Sequence, residues 1–319
     1  MNMNQIYSEP IITIIGPTAI GKTSISIKLA EMINGEIIGL DSRQIYKGMP
    51  IGTAQPTKKE QNMIPHHLIG IKDPNKIISS GVYADLVIKT VSEIKDRKKE
   101  PIICGGAGLY YRAISRGIFS GSKTDLKVRS ILNNEYKKLG PEHMFSKLEQ
   151  IDPAYSKKVH INNKKRLIRA LEIYKTTGRT PSEHFNMQRK SEKPALNLFT
   201  VLLKIDKKTL YDRIKIRTNK MINDGWIDET KELIKNRKKI EMHPIDSIGY
   251  KQIISYIDGE FSKKELIDEI IIRTGQYAKK QIKWFRNEKI DLEIKMSVSS
   301  DAIVNKIIKK FYDIKNMIC

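Results

Sequence analysis

Residues 11–24 read IITIIGPTAIGKTS, an apolar run that ends in the pattern G-x-x-x-x-G-K-[ST], from Gly16 to Thr23. The residues that follow, KTSISIKLAEMI (22–33), space their apolar positions as a helix does. A buried strand, a loop bracketed by glycines and a helix in direct succession commit this part of the chain to a phosphate-binding turn at the carboxyl end of a parallel strand. Backbone N–H groups around Ala19–Lys22 can surround phosphate oxygens. Gly21 permits the close approach, and the helix adds its positive end. The binding stretch is therefore expected to be Gly16, Pro17, Thr18, Ala19, Ile20, Gly21, Lys22 and Thr23. Lys22 would neutralise terminal phosphate charge, and Thr23 would offer its hydroxyl to Mg²⁺.

Apolar runs bounded by turns predict further parallel strands at 36–40, 67–71, 101–104 and 198–204, with helices at 22–33, 83–97 and 108–118. This alternation predicts an α/β fold, a P-loop-type open parallel sheet flanked by helices. It breaks between 119 and 195, where charged amphipathic segments such as DLKVRSILNNEYKKLG and KKRLIRALEIYKTTG replace the strands. These segments predict a helical insertion domain within a core formed by 1–118 and 196–319. After the fifth strand, the chain is expected to finish in helices.

Lys and Arg total 58 against 36 Asp and Glu, a formal net charge of +22. A composition rich in Lys and Ile would raise Glu as well, so the imbalance points to a polyanionic partner such as nucleic acid. The stretch KKVHINNKKRLIR (157–169) places six basic residues in thirteen inside the insertion. No apolar run approaches a membrane span and no secretory signal is visible, so a cytoplasmic location is expected. Cys104 and Cys319 make no disulfide or metal pattern.

A phosphoryl-transfer enzyme with this loop usually has a strand ending in an Asp that holds Mg²⁺. The run PIICGGAG ends instead in Gly105-Gly106, whereas EIIGLDSRQ carries Asp41 at a strand tip. Asp41 can be a Mg²⁺ ligand, a base facing whatever meets the phosphates, or a cap on the following turn. Arg213 and Arg217 lie one helical turn apart and can face the same way. Tyr277, Gln281 and Trp284 form a stripe beside Lys279, Lys283 and Arg286. Adjacent His66 and His67 would face opposite sides of a strand and make no metal pair.

The blocks GPTAIGKT, DSRQIYKGMPIGTAQP, PHHLIGI, GGAGLYYRAI, NNKKRLIRALEIY, SIGYKQ and QYAKKQIKWFR occur in an order and spacing that resembles the tRNA dimethylallyltransferases over roughly 11–287. The chain resembles the short bacterial form, with no C-terminal zinc-finger pattern. The resemblance implies Mg²⁺-dependent transfer of a dimethylallyl group from dimethylallyl diphosphate to N6 of adenosine 37, in tRNAs that read codons beginning with U. Diphosphate would leave, and the acceptor would be the tRNA anticodon stem-loop. It implies Asp41 as base, Arg217 on the diphosphate with Arg213 as second choice, and Lys22 and Thr23 stabilising the leaving group. For tRNA contact it implies Asp41, Ser42, Arg43 and Gln44, then Ala107 and Arg129. It further implies Lys165, Arg166, Leu167, Ile168 and Arg169, and the turn formed by Asp246, Ser247, Ile248, Gly249, Tyr250 and Lys251. A monomer is expected.

Several positions depart from the family pattern. Ala107 stands for Thr, Asn163 for Asp, Lys251 for Arg, and Gly275 and Lys283 for Arg and Thr. Three other readings share the loop: a P-loop kinase of a small metabolite, a prenyltransferase acting on free adenine nucleotides, and a tRNA-binding protein without catalysis.

Overall fold

Six parallel strands form one sheet in the order β3-β2-β4-β1-β5-β6. They are β1 (Ile11–Ile15), β2 (Gly35–Leu40), β3 (His66–His67), β4 (Glu100–Gly105), β5 (Leu198–Lys204) and β6 (Leu292–Lys295). The computed structural model describes residues 8–117, 124–190, 196–235 and 243–318. β1 is buried along its whole length, as an unbroken Ile/Thr run at the centre of a parallel sheet must be. The register pairs Ile15 with both Gly105 and Leu202, and Leu40 with Gly105. The carboxyl ends of β1, β2 and β4 therefore come level, and Gly16, Asp41 and Gly106 leave the sheet along one edge. That edge is where ligands of open parallel sheets bind.

Two strands differ from the sequence expectation. β3 is only two residues long, because Leu68 and Gly70 adopt positive φ (61° and 60°) and turn the chain away. Only an isolated bridge, Tyr46 to Lys72, continues the pairing. β6 departs from the expectation that the chain finishes in helices after the fifth strand. It is short, and only Ile294 on it is buried, so it carries no apolar run to announce it.

The chain divides into two compact units. The first comprises Met1–Ile78, Tyr83–Ser115 and Ala195–Cys319 and contains the sheet. Between its first four strands run α1 (Lys22–Ile33), α2 (Lys58–Met63) and α3 (Ser80–Asp96), and α4 (Gly108–Arg116) follows β4. α1 buries Ile25, Leu29 and Ala30 against the sheet. Its N-cap is Gly21, at φ 103° and without any side-chain cap, which leaves the first N–H groups open toward a ligand.

The second unit comprises Ser79–Val82 and Arg116–Pro194. Its described part is helical: α5 (Leu126–Ile151), α6 (Pro153–Ser156), α7 (Lys164–Thr177) and α8 (Pro181–Lys190). Gly140, at φ 82° ahead of Pro141, breaks α5 into two segments. Leu132, Met144, Leu148, Leu167 and Leu171 form its core. Asn163 caps α7 by accepting the Arg166 N–H at 3.3 Å, work that Asn and Asp do equally well.

The first unit resumes with β5, α9 (Lys207–Asn223), α10 (Trp226–Ile234), α11 (Tyr250–Ile257), α12 (Lys263–Phe285) and α13 (Ser300–Ile318). α9 and α12 pack through Leu210, Ile214, Ile271 and Ala278. Among the described residues, no helix is long and apolar enough to cross a membrane.

Candidate active site

The loop after β1 closes around its own lysine. Lys22 Nζ donates to the carbonyls of Gly16 at 3.1 Å and Pro17 at 2.9 Å. Burial lowers the Lys22 pKa to about 8, and neighbouring Arg217 pushes the same way, while Cys104 and Asp41 oppose it. The site is thus a buried cationic pocket that gains from an incoming anion. Ala19 sits at φ 63°, an uncommon conformation for a side-chain-bearing residue, and lines the pocket. Ile20 contributes backbone only. Its side chain is fully buried in the core, and its carbonyl accepts from Arg213 Nη1 at 2.7 Å.

Both arginines of α9 reach the loop. Arg213 holds the Ile20 carbonyl, and Arg217 Nη1 donates to Thr18 Oγ1 at 3.2 Å. Burial pulls the Arg217 pKa below its ordinary value, with Asp41 opposing. The guanidinium nevertheless stays charged. From the other side, Gln281 on α12 accepts the Thr18 N–H through Oε1 at 2.8 Å and donates from Nε2 to the Gly106 carbonyl at 2.9 Å. A Cβ at residue 106 would stand 2.3 Å from Gln281 Nε2, so only glycine admits this bridge.

Asp41 leaves β2 beside the loop. Its Oδ1 accepts the N–H groups of Arg43 at 2.7 Å and Gln44 at 3.3 Å, which fixes the carboxylate's orientation. Oδ2 accepts no hydrogen bond from the described residues. The cap and the base are therefore compatible roles, divided between the two oxygens.

Two cavities meet at this carboxylate. One, of about 370 Å³, is lined by the phosphate loop from Thr18 to Ser24 except Ile20, by Cys104–Gly106 and by Gln281. The other, of about 340 Å³, is lined by Ser42, Arg43, Ile214, Met221, Trp226, Asp246–Ile248 and Ile270. Thr18, Ala19, Asp41, Thr53, Arg217 and Tyr277 belong to both. One chamber is cationic and rich in backbone N–H groups. The second is mixed, with an apolar wall and polar groups at its turns, as small-molecule sites are.

The residues expected to contact tRNA separate accordingly. Asp41, Ser42, Arg43, Asp246, Ser247 and Ile248 line the second chamber. Gln44 borders the first, and its Nε2 is engaged with the carbonyls of Thr53 and Ala54 at 3.2 and 2.7 Å. Ala107 is nearly buried, its N–H bonded to the Leu40 carbonyl at 3.2 Å. Gly249 packs against Trp226, and Lys251 is exposed. Tyr250, also expected at the tRNA contact, is fully buried, so its side chain presents no surface to solvent.

In the helical unit, Lys165 and Arg166 are exposed. Leu167 and Ile168, also expected at the tRNA contact, are buried in the core there, so their side chains are not on the surface. Arg129 and Arg169 both bind the buried Glu172 carboxylate, at 2.8 and 3.0 Å. His66 and His67 bond separate partners, the Ile64 carbonyl and Glu36.

Among the described residues, no group of three or more His, Cys, Asp or Glu side chains could hold a metal alone. Thr23 and Asp41 do border the phosphate-loop chamber. This set suits Mg²⁺, which keeps waters and substrate oxygens rather than needing a protein cage. Thr53 and the loop-holding role of Gln281 were not apparent from the sequence, and Tyr277 was visible only as part of a stripe. The repeat of Tyr277 and Gln281 at i, i+4 was the available signal.

The sequence matches the family described as IPP transferase over residues 44–288. Proteins named tRNA dimethylallyltransferase from Halalkalibacterium halodurans and Bacillus licheniformis are each 40% identical to it over 88% of the chain. The matches cover 89% and 88% of those proteins. A solved full-length tRNA isopentenylpyrophosphate transferase from Bacillus halodurans aligns with a TM-score of 0.69 and 36% identity, over 97% of this chain and 98% of that one. A eukaryotic dimethylallyltransferase acting on tRNA aligns with a TM-score of 0.80 and 28% identity, over 95% of this chain and 80% of that one.

Proposed function

The chain belongs to the IPP transferase family, and from that footing we propose that it transfers a dimethylallyl group from dimethylallyl diphosphate to N6 of adenosine 37. The acceptors are tRNAs that read codons beginning with U. The activity is that of a tRNA-modifying prenyltransferase. The observation that carries the reading is the wall shared by the two cavities, where Asp41 and Arg217 face both.

The diphosphate occupies the phosphate-loop chamber. It receives the loop N–H groups, the Lys22 ammonium and the Arg217 guanidinium, with Arg213 holding the loop. The adenine, turned out of the anticodon loop, occupies the second chamber, where Ser42, Arg43 and the 246–248 turn surround it. N6 forms a bond to the allylic carbon as that carbon's bond to oxygen breaks. The departing diphosphate keeps the bonding pair, and Asp41 takes the N6 proton through Oδ2. Lys22 and Arg217 stabilise charge at the oxygen where it accumulates. Thr23 would hold Mg²⁺, which would supply further positive charge to the leaving group when bound.

Lys165, Arg166, Lys251 and the exposed α12 lysines Lys279 and Lys283 meet RNA phosphates. β4 ends without a carboxylate, which argues against a kinase. The test is transfer of label from dimethylallyl diphosphate to an anticodon stem-loop with adenosines at positions 36 to 38, with Mg²⁺ and no ATP. Label that disappears when adenosine 37 is replaced supports the reading. Phosphorylation of a small acceptor from ATP, with no labelled RNA, overturns it.

A further inference from the structure

The wall between the chambers is held from behind by a carboxylate that lines neither of them. Glu229 on α10 spreads its two oxygens over consecutive backbone amides. Oε2 accepts the Ile51 N–H at 2.7 Å and Oε1 the Gly52 N–H at 2.9 Å. Oε1 also accepts the Tyr250 hydroxyl at 2.6 Å. Charge-assisted bonds of this kind are roughly twice as strong as neutral ones.

Around the clamp, two glycines pack directly against aromatic rings. Trp226 stands edge-on to Tyr250, with ring centroids 5.7 Å apart and planes at 83°. A Cβ on Gly52 would lie 2.0 Å from Trp226 Nε1, and one on Gly249 would lie 1.9 Å from the same ring. Two glycines therefore admit one indole, which lets Glu229 reach the backbone. The next residue along the loop is Thr53, which faces both chambers.

We propose that Glu229 is a positioning residue for the transfer reaction. Its carboxylate fixes the Ile51–Gly52 backbone, and through it the Thr53 wall against which the allylic carbon and the acceptor amine are brought together. The proposal rests on the functional reading above. Glu229 touches neither substrate, so its effect falls on the geometry of approach rather than on diphosphate affinity, which belongs to the loop held by Lys22 and Gln281.

The test is single-turnover transfer by Glu229→Gln and Tyr250→Phe, with inorganic diphosphate affinity measured alongside. Gln keeps the size of Glu but turns an N–H₂ toward one of the two amides. The expected result for Glu229→Gln is an undiminished reaction amplitude, a rate constant lower by about tenfold to a hundredfold, and diphosphate affinity within about twofold of the parent. Tyr250→Phe should shift the rate in the same direction by less.

An unchanged rate constant in folded Glu229→Gln overturns the proposal. So does a loss confined to amplitude, because amplitude counts folded enzyme and marks a purely structural role. If Glu229→Gln does not fold, an unchanged rate in Tyr250→Phe overturns the proposal by itself. Parent enzyme that labels no RNA contradicts the family reaction, a result distinct from either of these.

Discussion

Gln281 and Thr18, 263 positions apart in the chain, are joined by a 2.8 Å hydrogen bond from the Thr18 N–H to Gln281 Oε1. The same amide group donates to the Gly106 carbonyl, so one side chain ties the phosphate loop to the end of β4. Gln281→Met, similar in size, leaves both backbone groups without this partner. Stability is expected to fall by about 1–3 kcal/mol, because the Gly106 carbonyl is buried and the Thr18 N–H partly so. Diphosphate affinity should fall with it. Denaturant melts and calorimetric titration check both.

Lys22 sets a pH dependence. Its pKa in the empty site is lowered to about 8, chiefly by burial, and a bound diphosphate favours the charged form and raises it. Binding therefore takes up a proton above pH 8. Diphosphate affinity should be full below that value and decline as pH rises through it. Titrations in buffers of different ionisation enthalpy should show this uptake, and Lys22→Met should abolish the part that diphosphate itself does not supply.

Glu36 ties acid stability to the far end of the sheet. Burial pushes its pKa up, but hydrogen bonds from Arg97, His67 and Lys99 outweigh that and hold it at about 2. Because the folded value lies below the unfolded one, the stabilisation is complete above pH 4.5 and lost as pH falls toward 2. It amounts to at most about 3 kcal/mol. Denaturant melts of the parent and Glu36→Gln should differ at pH 6 and converge near pH 2.

Gly275 lies inside α12, and nothing stands within 4 Å of where its Cβ would be. Gly275→Ala should stabilise the protein by about 1 kcal/mol, since the helix gains propensity without a clash. A rise in melting temperature checks this.

Lys165 and Arg166 are the exposed cations at the start of α7. Replacing either by Ala should weaken stem-loop binding and lower the slope of log affinity against log salt by about one. An unchanged slope would remove that residue from the phosphate contacts.

The parts of this protein that were legible in its sequence are those written in local spacing. G-x-x-x-x-G-K-T fixed the loop, unbroken Ile runs fixed the central strands, and Asp41 was visible because a strand plainly ended there. Helical period also held the information that Leu167 and Ile168 face inward, since they share a face with Leu171, although the family resemblance counts both among the tRNA contacts. The Gln281 bridge and the Glu229 clamp reach backbone groups 175 or more positions away, and nothing local marks which of them a Gln or Glu will find. β3 shortened because two positive-φ residues follow it, and β6 escaped notice because an edge strand with one buried residue has no pattern.

The central claim is that Asp41 serves as the base at the meeting point of the two chambers. Asp41→Asn keeps an oxygen to accept the Arg43 and Gln44 amides but cannot take a proton at pH 7. In single-turnover transfer it should slow the reaction by about two to four orders of magnitude, while affinities for stem-loop and diphosphate stay within about threefold. Transfer at the parent rate, or a loss explained wholly by weaker binding, would contradict the account.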